Sequence, residues 1–200
     1  MSVSRMKFLC DLDRCIDCNG CSVACDSGHE LPLDVRRRKV VTLNEGKPGE
    51  ELSVSIACMH CPDAPCAQVC PVDCFYIRED GIVLHDKDIC IGCGYCLYAC
   101  PFGAPQFARG GIFMSKGVMD KCTMCAGGPK QTNSKDEFHK YGQNRIAEGK
   151  VPLCAAMCST KALLVGESEV VDKIYNDRIA LRGYNSGVSQ TPNAYPGNQW

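Results

Sequence analysis

The chemistry of this chain is in its cysteines. Cys90, Cys93, Cys96 and Cys100 stand in C-I-G-C-G-Y-C-L-Y-A-C-P, three thiols on one short loop and a fourth three residues on. Cys15, Cys18, Cys21 and Cys25 repeat that spacing in C-I-D-C-N-G-C-S-V-A-C. Two more groups, Cys58, Cys61, Cys66, Cys70 and Cys122, Cys125, Cys154, Cys158, each open on Cys-x2-Cys. Thiolate knuckles of this kind hold zinc or an iron–sulfur cluster. A tetrahedral ion does not take ligands so crowded from one loop, whereas a cubane presents several irons to it, so the spacing argues for 4Fe-4S clusters. Cross-linking is the other use of 18 cysteines. Disulfide scaffolds are usually shorter secreted chains, and M-S-V-S-R-M-K-F-L-C has no long apolar core of a secretory signal.

The stretch from Cys58 to Pro101 resembles a bacterial-type two-cluster ferredoxin, in which the fourth cysteine of one motif serves the cluster of the other. The link F75-Y-I-R-E-D-G-I-V-L-H85 has apolar residues on both sides of Glu79, Asp80 and Gly81, a hairpin signal that would bring Cys70 and Cys90 to neighbouring strand ends. The resemblance then assigns one cluster to Cys58, Cys61, Cys66 and Cys100 and another to Cys90, Cys93, Cys96 and Cys70. Aligning Cys15 with Cys90 matches F8-L-C-D-L-D-R-C15 to V83-L-H-D-K-D-I-C90 without a gap, aspartates included. C122-T-M-C125 matches C58-M-H-C61, and C154-A-A-M-C158 matches C66-A-Q-V-C70, except that 28 residues replace four in the spacer. The same exchange gives Cys15, Cys18, Cys21 and Cys158 to a third site and Cys122, Cys125, Cys154 and Cys25 to a fourth. The proline after Cys70 and Cys100 is missing after Cys25 and Cys158. Cys10 and Cys74 fall opposite His85 and Ala162 in the copies and read as small apolar core residues.

The expected fold is therefore α+β, a duplicated two-cluster ferredoxin-like fold with an inserted hairpin, a surface loop and an extended C-terminal tail. Residues 58–107 form one unit, 1–57 with 108–166 the second, and 167–200 a helix and docking tail. V40-V-T-L43 and L52-S-V-S-I56 flank a Gly/Pro turn and predict the inserted hairpin. Ser134 with Glu137 is a capping box for a short surface helix in the long spacer, with Gly149 as its stop and His139 facing solvent. Apolar residues from Val170 to Leu181 have helical spacing. From Gly183 the chain is rich in Gly, Pro, Asn and Ser and lacks periodicity, a tail that a partner surface would order, with Trp200 read as a frayed end and a docking anchor as its functional alternative. R36-R-R-K39 entering a strand reads as a solvated face, with docking to an acidic partner as the functional alternative.

No run reaches the 18 or so apolar residues that span a bilayer. The formal charge of −1, made more negative by ligated thiolates, argues against nucleic acid as the main partner. No phosphate-binding loop or nucleophile elbow occurs, and His29, His60, His85 and His139 have no metal-binding spacing. Clusters with four thiolates each leave no iron open to substrate, so their chemistry is one-electron transfer. Gly92, Gly94, Asn19 and Gly20 let amides approach sulfur, and Arg14, Lys121 and Lys161 are candidates to raise potentials. Strands this short bury little core, so metal binding must supply folding free energy and the apo chain is expected to be largely unfolded.

Four motifs of four cysteines, the last split by a long spacer, resemble the four-cluster electron-transfer subunits of molybdopterin oxidoreductases over Lys7 to about Gly166. S55-I-A-C-M-H-C-P-D-A-P-C, D120-K-C-T-M-C-A-G-G-P and V151-P-L-C-A-A-M-C-S-T-K-A-L look most like the beta subunit of formate dehydrogenase. The resemblance implies a non-catalytic relay through four 4Fe-4S clusters. Electrons would come from a molybdenum or tungsten bis-pterin catalytic subunit, near motifs one and four, and leave near motifs two and three to a cytochrome b or another acceptor. It also implies an exported complex on the periplasmic side of the inner membrane, with the cytoplasm as the alternative. All ligand positions are cysteine, which disfavours the nitrate-reductase branch, where one is tryptophan. The rival readings are a relay for a sulfur-compound or S-oxide reductase, and a metal-stabilised scaffold or assembly protein.

Overall fold

A computed structural model describes residues 4–108, 117–132 and 134–182; the tail beyond 182, with Trp200, lies outside the described residues. The chain is α+β. Its strands make four separate two-stranded antiparallel ladders. β1 (Met6–Cys10) pairs with β8 (Leu163–Glu167), β2 (Arg38–Leu43) with β3 (Leu52–Ala57), β4 (Phe75–Ile77) with β5 (Val83–His85), and β6 (Gln106–Phe107) with β7 (Met119–Asp120).

Both hairpins expected from the sequence are present. In the β4–β5 turn Gly81 takes a φ of 80°, and its amide bonds Arg78 O at 2.9 Å while Arg78 N bonds Ile82 O at 3.0 Å. In the β2–β3 turn Asn44 and Gly46 carry positive φ, and Asn44 Nδ2 donates to Glu50 O. The register sets Phe75 opposite His85 and, on the other ladder, Leu163 opposite Cys10. Just beyond them, Asp86 N bonds Cys74 O at 2.7 Å and Asp11 N bonds Ala162 O at 2.8 Å.

The helices are short. α1 (Gly20–Gly28), α2 (Pro65–Gln68), α3 (Tyr95–Ala99) and α5 (Leu153–Ala156) each carry cysteines of the motifs. The largest apolar cluster joins Ile82 and Leu84 of the β4–β5 hairpin to Leu163 and Val165 of β8, Met124, and Cys21, Cys154 and Cys158. Cysteine thus forms part of the core itself, as the small hydrophobe it resembles until it is ionised.

α4 (Lys135–Tyr141) starts as expected, with Glu137 N donating to Ser134 Oγ at 3.1 Å, but it ends earlier. Gly142 at φ 85° receives the chain, not Gly149, because Tyr141 is drawn into the fold. Its hydroxyl accepts from Lys87 N at 2.7 Å, and its carbonyl accepts from Arg37 Nη1 at 3.2 Å. His139 is exposed, as expected. α6 (Ser168–Leu181) buries Val171 against the β1–β8 ladder, and Arg178 and Arg182 both reach the buried carboxylate Asp11.

The basic run does not form a solvated face. Arg36 and Lys39 are exposed, but Arg37 and Arg38 are only 5 % and 2 % exposed. Successive residues leave an extended backbone on opposite sides, so one arginine meets Asp120 and the other turns towards Phe8 and Ser55. Arg37 Nη2 donates to Asp120 Oδ2 at 2.9 Å, with Nε on the other oxygen, a two-pronged pair that Lys87 completes. Burial alone would raise the Asp120 carboxyl, but Arg37 and Lys87 hold it far below the usual carboxylate range. Removing the carboxylate leaves two buried cations unpaired. Asp120→Asn is therefore expected to cost about 3 kcal/mol, read as a fall of several degrees in the anaerobic melting temperature of the metal-loaded protein; an unchanged Tm would refute this role.

Candidate iron–sulfur cluster sites

One local device recurs in all four Cys-x2-Cys loops. The residue two places after the first cysteine is left-handed: Asp17 at φ 54°, His60 at 46°, Gly92 at 67° and Met124 at 56°. For a residue with a side chain this conformation costs about 1–2 kcal/mol. It turns that residue's amide back on the first sulfur. Met124 N donates to Cys122 Sγ at 3.3 Å, and the backbone of Asp17, His60 and Gly92 likewise favours the thiolates of Cys15, Cys58 and Cys90. Asn19 and Gly94, left-handed as well, open α1 and α3. Cys70 and Cys100 accept from the amides of Cys74 and Ala104, at 3.4 and 3.5 Å.

Glycine at 92 has a second cause. Asp17 shows that a side chain tolerates the same backbone conformation, so φ alone does not require glycine. A Cβ on Gly92 would lie 2.4 Å from the carbonyl oxygen of Gly117. The close approach of that backbone, which also brings Met119 N within 3.5 Å of Cys90 Sγ, excludes a side chain.

The fold brings cysteines from distant motifs together. Cys61 and Cys66 each sense the charge of Cys58 and Cys100. Cys25 faces Cys122, Cys154 and Cys125, and Cys15 faces Cys21 and Cys158. Cys96 faces Cys90 and Cys93. Cys18 is exposed at the edge of the Cys15 loop, 3.7 Å from where a Cβ on Gly20 would stand. Cys70 approaches Cys90 through Cys74, whose Sγ lies 3.5 Å from Cys70 Sγ and hydrogen-bonds Cys90. Cys74 is thus buried like a core residue but in contact with two thiols, which lowers Cys90 and raises Cys74 itself. Cys10, half-buried, accepts from Ser55 N at 3.4 Å and lies beside Cys15.

Neighbouring sets also touch electrostatically. Cys154 senses Cys21, Cys58 senses Cys122, and Cys96 senses Cys66. The order through the molecule is therefore the set with Cys15, the set with Cys122, the set with Cys58, and the set with Cys90. Among the described residues no three or more His, Cys, Asp or Glu side chains converge tightly enough for one ion. Thiols gathered but spread apart suit a cubane, whose irons stand at separate corners.

Burial pushes these thiols up: Cys66 and Cys96 to about 11, Cys125 to about 12, with Cys25, Cys58, Cys122 and Cys154 raised as well. They can ionise at neutral pH only against positive charge, which cluster iron brings. The protein adds fixed cations. Lys121, 1 % exposed, donates to Cys122 O at 3.1 Å and to Val83 O, and its charge favours the thiolates of Cys58 and Cys66. Arg38 does the same for Cys122 and Cys154. Arg14, in turn, is tied to Thr160 O at 2.9 Å.

Histidine was hidden from spacing arguments because its role here is hydrogen bonding. His29 Nε2 lies 3.3 Å from Cys125 Sγ, within hydrogen-bond reach, and burial lowers its pKa to about 4, so the ring is neutral at pH 7. His60 and His85 are fully buried, and His60 Nδ1 accepts from Val83 N at 3.0 Å. No local pattern in the sequence marks these contacts, which cross up to 96 positions.

Comparison with known proteins agrees with this chemistry. A family model described as a 4Fe-4S dicluster domain matches residues 50–137. The sequence is 68 % identical over 191 residues to the formate dehydrogenase iron-sulfur subunit of Wolinella succinogenes, covering 96 % of this protein and 94 % of that one. It is 35 % identical over 188 residues to a component of the anaerobic dimethyl sulfoxide reductase of Escherichia coli, covering 89 % of this protein and 81 % of that one. With the thiosulfate reductase electron transfer subunit of Salmonella typhi it shares 36 % over 174 residues, 84 % of this protein and 80 % of that one.

The Gly92 contact gives a direct test of how the sites are built. Gly92→Ala must displace the Gly117 backbone and is expected to lose the iron held by the Cys90 loop while the rest is kept, read as a partial fall in iron and labile sulfide per protein molecule. Full iron content in the variant would contradict it.

Proposed function

We propose, for a protein that belongs to the 4Fe-4S dicluster family of oxidoreductase iron–sulfur subunits, that it relays electrons from a formate dehydrogenase catalytic subunit through four clusters. The observation that carries this is the unbroken succession of thiol sets, together with 68 % identity over nearly the whole of both sequences to a formate dehydrogenase iron-sulfur subunit. Cys15, Cys18, Cys21 and Cys158 hold the first cluster in the succession, and Cys122, Cys125, Cys154 and Cys25 the second. Cys58, Cys61, Cys66 and Cys100 hold the third, and Cys90, Cys93, Cys96 and Cys70 the fourth.

A duplicated ferredoxin fold is the simplest account of this arrangement. Cys10 with Leu163 and His85 with Phe75 are paired alike, and four left-handed positions recur in register, Asp17 with Gly92, Asn19 with Gly94, His60 with Met124 and Asp73 with Lys161. Residues 58–107 form one copy, 1–57 with 108–166 the other, and 167–200 a helix and docking tail.

When bound, each cluster supplies acceptance and donation of a single electron. The chain's own residues provide thiolates, amide donors to sulfur, buried cations that favour added negative charge, and a shell that keeps water away. Formate going to carbon dioxide releases two electrons and a proton; that step belongs to a molybdenum or tungsten pterin site in the partner, and this chain is itself non-catalytic. The set with Cys15 lies nearest the catalytic subunit. The set with Cys90 lies nearest the acceptor, a cytochrome b or another carrier, and exposed Ile91, Tyr95 and Tyr98 beside it supply an apolar surface for docking. Among the described residues no helix is long and apolar enough to cross a membrane. In this reading the complex sits on the periplasmic side of the inner membrane, with the cytoplasm as the alternative. The relatives named for dimethyl sulfoxide and thiosulfate reductases favour a second reading, the same relay run towards a reductase, at roughly half the identity.

Anaerobic purification through a tag on this chain is expected to recover a large pterin-containing subunit, and formate is expected to bleach the brown clusters. A co-purifying reductase that leaves formate inert would transfer the account to the second reading, and a colourless zinc protein without redox response would overturn both.

A further inference from the structure

Among the described residues Arg38 is a buried cation with no carboxylate partner. Its neighbour Arg37 is matched by Asp120, yet the charges that act most strongly on Arg38 are those of thiols, Cys154, Cys122, Cys21 and Cys25. Guanidinium does not deprotonate in proteins, and leaving it buried without an anion costs several kcal/mol. One face of the group packs over Phe8, 4.5 Å from the ring centroid. Nη1 donates to Ser55 Oγ at 3.0 Å and, more weakly, to Ser55 O at 3.4 Å. Nε and Nη2 are buried and find no full hydrogen bond among the described residues.

The surroundings of this group lead to two different sites. Ser55 Oγ lies 3.2 Å from Cys21 Sγ, so a hydroxyl that accepts from Arg38 can donate its proton to the Cys21 thiolate. On the other side, Cys154 packs in the same buried cluster as Cys21, and the charge of Arg38 favours the thiolates of Cys154 and Cys122. Cys21 and Cys154 belong to consecutive sets in the succession. Ser22 Oγ, donating to Arg38 O at 2.8 Å, fixes the strand against the helix that carries Cys21.

We propose that Arg38 is the shared counter-cation of the two clusters held by the Cys15 and Cys122 sets, through the Ser55 hydroxyl on the Cys21 side and by its buried charge on the Cys154 side. The inference rests on the cluster assignment above. Cluster sulfur, when bound, would offer an acceptor to its orphaned donors, and its charge would stabilise the reduced form of both clusters, raising both midpoint potentials together. Arg38 is a positioning and tuning residue for electron transfer, since it reaches a ligand through Ser55 and carries no electron.

The test is a spectroscopic redox titration of the intact complex with Arg38→Gln, Arg38→Lys and Ser55→Ala, with iron and labile sulfide counted in each. In Arg38→Gln two of the four midpoints are expected to fall, each by about tenfold in the reduced-to-oxidised ratio at fixed potential, which is about 59 mV for one electron. Arg38→Lys keeps the charge and should shift them less. Ser55→Ala removes only the hydroxyl link and should lower one of the same two. Unchanged midpoints in an Arg38→Gln protein with full iron, or equal shifts of all four, would overturn the proposal. If Arg38→Gln loses its clusters, Ser55→Ala decides: a shift in one midpoint supports the role and none refutes it. Wild-type protein short of iron would refute the cluster assignment, a separate failure.

Discussion

A thiolate in the interior of a protein must be matched by positive charge, and nearly every unusual feature of this chain answers to that requirement. Burial raises the thiols of Cys66, Cys96 and Cys125 to about 11 or 12. Without cations these sites hold protons; with iron they hold a cluster. The left-handed residues that aim amides at sulfur and the buried Lys121 and Arg38 all favour the ionised donor set. The fold has short ladders and small apolar clusters around those donors because the metal supplies much of what a larger core would otherwise provide.

The same constraint shapes the electron path. Sets close enough for their cysteines to sense one another also repel when more than one is reduced, and a cation between them offsets that repulsion. Lys121 senses the sets with Cys58 and Cys122, and Arg38 those with Cys122 and Cys15. Two consecutive steps in the succession therefore have a buried cation beside them, each from a residue of a different ladder or loop. The insertion between Cys125 and Cys154 closes over this region through Tyr141, Arg37, Asp120 and Lys87.

Much of this was legible in the sequence because ligand spacing and turn chemistry are local. The cysteine runs, the hairpin at Asp80-Gly81 and the Ser134–Glu137 cap each announce themselves within a few residues, and the internal repeat extends that logic across the chain. What escaped was set by partners far away. The run at Arg36–Lys39 has the composition of a solvated face, and Asp120, Cys122 and Cys154, more than 80 positions on, explain why its two middle residues are buried. Gly142 overtook Gly149 as the helix stop because Tyr141 is pulled inward, a contact with Lys87 that capping signals do not encode. Cys74 looked like filler because its counterpart is Ala162, yet the fold sets its thiol against Cys70 and Cys90.

The most direct test of the central claim is a count of iron and acid-labile sulfide per protein molecule in the anaerobically purified complex, with subtraction of any iron in the partners. The account predicts iron and sulfide in equal amount, enough to give every one of the four cysteine sets its own cubane. Half that amount, or zinc in its place, would mean that only the contiguous Cys58–Cys100 unit binds clusters or that the sets are structural, and the succession of sites would not be a path for electrons.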